Sequence, residues 1–218
     1  MRPALLSVLL LGCAPDAPAP PPAEAPRAAS AQDGAVLRVD ELPIRAEDVD
    51  PLARDVRVLY PEYAEAHARR LALTNEILAR FAARARYPEA WRQAADACAA
   101  AEPDGLEPWL VEGNWRELGL STWSAAHALP LATWSEPVEL VGRWARLRVD
   151  ARDGAEDPRT ERLSLSILEF PFLPRGGATA LVEEAIDSVR LTVVDPRWDA
   201  TVPETWKHRM RGADPLLR

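Results

Sequence analysis

The chain has 218 residues, with 26 Lys and Arg against 34 Asp and Glu, for a net charge of −8. Such an acidic chain offers no basic stripe for nucleic acid or anionic lipid, which disfavours both as partners. No cluster of His, Cys or carboxylates has metal-ligand spacing, and no phosphate loop or nucleophile elbow occurs, so no metal, cofactor or catalytic residue is nominated.

The first residues read as a secretory signal: Met1-Arg2, an apolar run Ala4 to Leu11, then Gly12 and Cys13. A cysteine directly after the small residue resembles a bacterial lipoprotein signal. The resemblance implies cleavage after residue 12, a diacylglycerol thioether on Cys13 and an acylated new N-terminus. Several acyl chains on one residue hold a protein firmly on a membrane. The apolar run is far below the ~20 residues that span a bilayer. Residues 13–32 are an Ala/Pro-rich tether with prolines at 15, 18, 20, 21, 22 and 26. At ~3.1 Å per residue it reaches roughly 60 Å, clear of headgroups. By resemblance to the Gram-negative sorting pattern, Ala14 in place of Asp favours the outer membrane, facing the periplasm. With Cys13 lipidated, Cys98 is left without an internal partner. Its Ala-rich helical surroundings predict a buried, inert thiol.

The remaining length suffices for one sizeable core or two small ones. Ala35 to Ile44 reads as two very short strands around a tight turn. Ala46 to about Leu59 reads as a helix with acids in its first turn, ending before Pro61. A longer helix is predicted over Glu62 to Arg86, with Tyr63, Ala66, Leu71, Ile77, Leu78 and Phe81 on its apolar face. An Ala-rich third helix follows from Pro88 to about Ala101, ended by Pro103-Asp104-Gly105.

A short strand, then Leu42-Pro43-Ile44 and Glu47-Asp48-Val49, then the second helix Arg69 to Ala85, resembles the N-terminal region of SurA-type periplasmic chaperones and their parvulin relatives. Asp40-Glu41 replaces that family's Asn-Gly. Downstream, Ala125-Ala126-His127-Ala128-Leu129, Ser135-Glu136-Pro137-Val138 and Gly142-Arg143-Trp144 to Val149 are similar to the last part of a parvulin-type prolyl isomerase. The order of the two pieces also fits. Parvulin sites carry histidines on the first and last strands, beside a Cys or Asp and an apolar proline pocket. Here Trp144 stands where the last-strand histidine belongs, and about 16 residues between the third helix and Leu118 are too few for the missing first strand together with its helices. The nearest substitute, Thr160 to Phe170, alternates like a half-buried strand but comes afterwards and has no histidine.

Ala178 to Asp187 reads as a helix and Val189 to Val194 as a strand, followed by a Trp- and Pro-rich tail. Eight tryptophans either fill a core or give large contact area for extended peptide. Trp123, Trp134, Trp144, Trp198 and Trp206 are the candidate polypeptide-binding residues. His67, His127 and His208 read as surface or satisfied groups, and no carboxylate pair stands out.

The fold expected is α+β: a SurA-like helical region over 33–104 packed with a small, mostly antiparallel, degenerate parvulin-like part over 105–218. The function expected is a lipid-anchored, periplasm-facing, chaperone-like protein that binds unfolded or extended polypeptide and lacks isomerase activity. The alternatives are a prolyl isomerase with a shifted site built from His127 or His208 with Cys98, or an accessory subunit of a cell-envelope complex.

Overall fold

The computed structural model describes residues 34–154, 156–174 and 177–211. The signal, the tether and Cys13 lie outside the described residues. The chain folds as α+β, with small antiparallel sheets and packed helices.

Strands β1 (Ala35–Val39) and β2 (Leu42–Arg45) form the expected hairpin. Asp40 takes φ 48° at its tip, a left-handed position that a short polar side chain tolerates. Its backbone N–H donates to the Arg190 carbonyl at 2.8 Å, and its Oδ1 accepts from the Arg190 N–H at 2.8 Å. This ties the hairpin to a segment 150 residues away.

Helix α1 (Ala46–Leu59) buries Val49, Leu52, Val56 and Leu59 along one face. The expected long second helix begins at α2 (Glu65–Ala72), passes through a π turn at Leu73–Ile77 and continues as α3 (Leu78–Arg86). The wider turn re-phases the residues after it, and the expected apolar stripe is also corrected before it. Ala66 is exposed, whereas Ala68, Ala72 and Leu73 are buried. Helix α4 (Pro88–Ala100) starts with proline at its first position, where no N–H is needed.

The second sheet follows: β3 (Trp109–Gly113), β4 (Val138–Leu140), β5 (Arg143–Asp153) and β6 (Arg162–Pro171), in the order β3-β6-β5-β4. Helices α5 (Trp115–Leu118) and α6 (Leu120–His127) lie between β3 and β4. The Ser135-Glu136-Pro137-Val138 stretch does lead into a strand pair. Ser135 donates its N–H to the Leu147 carbonyl at 2.7 Å, and its Oγ accepts from the Leu147 N–H at 2.9 Å. Gly142 turns the β4–β5 hairpin at φ 77°. A Cβ there would come within 3.3 Å of Leu173.

Side chains alternate across this sheet. Ala145, Leu147, Val149, Leu163 and Leu165 are fully or almost fully buried on the face covered by α6. Trp144 and Arg146 point to the other face, where α4 packs. Trp144 meets Trp91, and Arg146 caps α4 through the Ala101 carbonyl at 3.0 Å.

The chain then returns to its beginning. Helix α7 (Ala178–Ser188) packs on α3, and β7 (Leu191–Val193) pairs antiparallel with β1, giving a sheet β2-β1-β7 with Leu37 opposite Val193. Arg70 reaches the Ala200 carbonyl at 2.7 Å, and a last helix, α8 (Glu204–Arg209), follows. One lobe is therefore built from residues 34–102 with 177–211. The sheet lobe, 106–174, is an insertion into it.

Candidate functional site

The five nominated tryptophans occupy different environments. Trp123 is fully buried and stacks on His127 with ring centroids 4.4 Å apart. Trp198 is also in the core, with the Arg69 guanidinium 5.0 Å from its ring. Both side chains are covered by the core in this conformation. Trp134 is half-buried under Arg148 at 5.0 Å, and Trp206 is half-buried beneath Arg209 at 5.6 Å. Trp144 is half-buried against Trp91 at 5.6 Å. The indole N–H groups of Trp123, Trp134 and Trp144 are buried with no acceptor among the described residues.

The Trp144 cluster joins the lobes. Trp91 on α4 donates to Glu139 Oε1 at 2.6 Å, and Arg84 on α3 lies 3.9 Å over its ring. Arg80 donates to the Glu139 carbonyl at 3.1 Å. Burial pushes the Glu139 carboxyl above its ordinary value. Arg80, the Trp91 hydrogen bond and Arg84 pull the other way.

The histidines do not converge. His67 is exposed and sits edge-on to Tyr63, and His208 is exposed on α8. His127 donates from Nδ1 to Glu161 Oε2 at 2.7 Å. Glu161 is 1 % exposed and also receives Arg152 Nη1 at 2.9 Å. Arg152 in turn donates to the Leu129 carbonyl at 3.2 Å. The buried Glu161 carboxylate is thus satisfied by two partly exposed partners, and the trio holds the end of α6 to β5 and β6. Sequence reasoning passed over Glu161, because the only signal was one acid at the start of an apolar strand. Cys98 is fully buried on α4, on the opposite face of the sheet from α6, and burial raises its thiol pKa. His127, His208 and Cys98 thus form no common pocket in the structure.

The surface that sequence reasoning missed is the outer edge of β3. This strand pairs with β6 on one side only, from Trp109 opposite Ile167 to Gly113 opposite Leu163, with no register shift. Trp109 is 56 % and Leu110 70 % exposed, and Leu106 beside them is 46 % exposed. Strand β6 runs on to Pro171, past the start of β3, so its stretch beyond Ile167 pairs with β5 but with no described strand on the β3 side. An open groove of about 530 Å³ fills that step, lined by Leu106, Pro108, Trp109, Leu168 and Phe170 among others.

No family model, curated protein or solved structure matches the chain. The function is therefore argued from this geometry and from the sequence. An edge with apolar side chains and outward main-chain groups does no bond-making chemistry. It can hold another extended chain through main-chain hydrogen bonds and side-chain burial.

Proposed function

We propose that the protein is a lipid-anchored, periplasm-facing, chaperone-like protein that binds extended polypeptide and has no prolyl isomerase activity. The anchor rests on the signal ending at Cys13 and on the Ala/Pro tether. Among the described residues no helix is long and apolar enough to cross a membrane. The observation that carries the reading is the apolar edge of β3, with Trp109 and Leu110 exposed beside an open groove. Contiguous exposed apolar surface marks interaction sites. The lack of isomerase activity rests on Trp144, which stands at the histidine position of the resembled family and is wedged against Trp91.

The test is binding of a reduced, alkylated and permanently unfolded protein, followed by fluorescence anisotropy, with suppression of its aggregation measured in parallel. The full-length chain is expected to bind it. Leu110→Asp is expected to weaken binding at least tenfold, whereas Val58→Asp, at an exposed apolar position on α1 away from the edge, leaves it within about twofold. Equal binding by both variants would remove β3 from the reading. Prolyl isomerase turnover by the same preparation would overturn the non-catalytic part.

A further inference from the structure

Resting on the polypeptide-binding reading, we infer that the step formed by β3 and the overhanging end of β6 takes a guest β-strand whose apolar residues are flanked by lysine or arginine. Two observations carry this.

The first is the shape of the edge. Natural edge strands are blunted by proline, bulges, inward charges or extreme shortness. Strand β3 has five residues, no proline within it and no bulge against β6. Its apolar side chains leave both faces open: Trp109 shares a face with Ile167, and Leu110 with Ser166. The groove at the step is lined by Leu168 and Phe170, next along β6 after the last β3 pair. A guest strand laid along β3 would bury Leu110 and Trp109 and could continue into the step. Alternate guest side chains would fall on each face.

The second is charge. The step groove is lined by Glu107 and Glu169, and a second groove on the Leu110 side is lined by Glu112 and Asp150. Three of these carboxylates are already paired: Glu169 with Arg143, Glu112 with Arg162 and Asp150 with Arg148. Glu107 has no ion pair among the described residues and adds negative charge where the guest would enter. Among the described residues, no lysine or arginine lines either groove itself, and Arg143, Arg148 and Arg162 lie beside them as the partners of these carboxylates. A second copy of the chain is the less favourable occupant, because each copy brings a net charge of −8.

The experiment uses the full-length chain and three ten-residue peptides. They share one apolar β-forming core and are flanked by Lys-Lys, Ser-Ser or Glu-Glu. Affinity is followed by titration calorimetry and the binding face by amide hydrogen exchange at Leu110 to Glu112. The Lys-flanked peptide is expected to bind at least tenfold tighter than the Glu-flanked one at low salt. The gap should shrink at 0.5 M salt, as screened charges require. Glu107→Lys should narrow or reverse the order without unfolding the chain. N-methylation of alternate amides on the guest should abolish binding and protection at β3.

Equal affinity for all three peptides would overturn the charge selection while leaving polypeptide binding intact. Failure of every peptide, with the unfolded protein also unbound, would bring down both. Binding that N-methylation leaves untouched would overturn strand addition. A dimer in sedimentation that Leu110→Lys converts to monomer would make the edge an interface between copies, against the inference.

Discussion

The two sheets treat their edges in opposite ways. In β2-β1-β7 the outer strands have four and three residues. Strand β2 carries Pro43 and runs directly into α1, while β7 is covered beyond its edge by the chain end: the Leu191 N–H donates to the Met210 carbonyl at 2.7 Å, and Arg190 bridges to Arg211. In the inserted sheet, β3 is longer, regular and uncovered among the described residues, and it exposes a tryptophan and a leucine. The same chain thus closes one pair of edges and leaves one open. Such a contrast teaches that the open edge is a feature of the insertion and not of a generally ragged fold.

Interior charge differs between the lobes as well. The sheet lobe buries Glu161 with His127 and Arg152. The pairs of the returning segment, such as Arg209 with Asp187 and Glu183, are largely at the surface. Glu161→Ala would take the buried carboxylate away from the Arg152 guanidinium and the His127 ring and break the brace between α6, β5 and β6. A loss of about 3 kcal/mol is expected, read from urea denaturation midpoints. A loss under about 1 kcal/mol would show that the brace is solvated and would erase this contrast.

At the open edge the effect should fall on binding. Leu110→Lys is expected to change stability by less than about 0.5 kcal/mol, since the side chain is exposed, and to weaken polypeptide binding at least tenfold, about 1.4 kcal/mol. The comparison position on the closed sheet is Leu37, opposite Ile44 and Val193 and fully buried. Leu37→Ala should cost about 3 kcal/mol of stability instead. If Leu110→Lys unfolded the chain, β3 would be a core element and the contrast of edges would fail.

The joint between the lobes gives a smaller, pH-dependent signal. Burial raises the Glu139 carboxyl, so its protonated form is favoured in the folded state. Stability contributed by this group is complete below the ordinary glutamate pKa and is lost as pH rises through the raised value. Gln at 139 can still accept from Trp91 through its carbonyl oxygen. Glu139→Gln should therefore be at least as stable as wild type at neutral pH, with a flatter midpoint-against-pH curve between the acid range and neutrality. A steeper curve would show that Arg80 and Arg84 outweigh desolvation. The smallest effect belongs to Arg209→Ala, whose exposed pairs with Asp187 and Glu183 should cost less than about 1 kcal/mol and lose even that in high salt.

Much of the local structure was legible in the residues. The first hairpin, α1, α4, β6 and α7 all follow from alternation, helical spacing and Gly or Pro punctuation, because those signals are carried by neighbours in sequence. The π turn was not legible, since Leu73 to Ile77 reads as ordinary helix and the re-phasing answers to what packs outside it. The candidate site was hardly legible at all. Trp109 has the same composition signal as Trp123, yet one is mostly exposed and the other fully buried. Glu161 looks like any surface acid until His127 and Arg152 arrive from 34 and 9 residues away.

The sequence by itself determined the α+β class and many of the secondary-structure elements, though not β3, α5 or the π turn, through short-range patterns of hydrophobicity and backbone preference. Only the tertiary structure decided that the C-terminal strand closes the first sheet, that the inserted sheet keeps an open edge, and which tryptophans face solvent. Those outcomes depend on pairings between residues far apart in the chain. A strand's own residues set how well it pairs, but whether its edge is covered depends on where the rest of the chain goes.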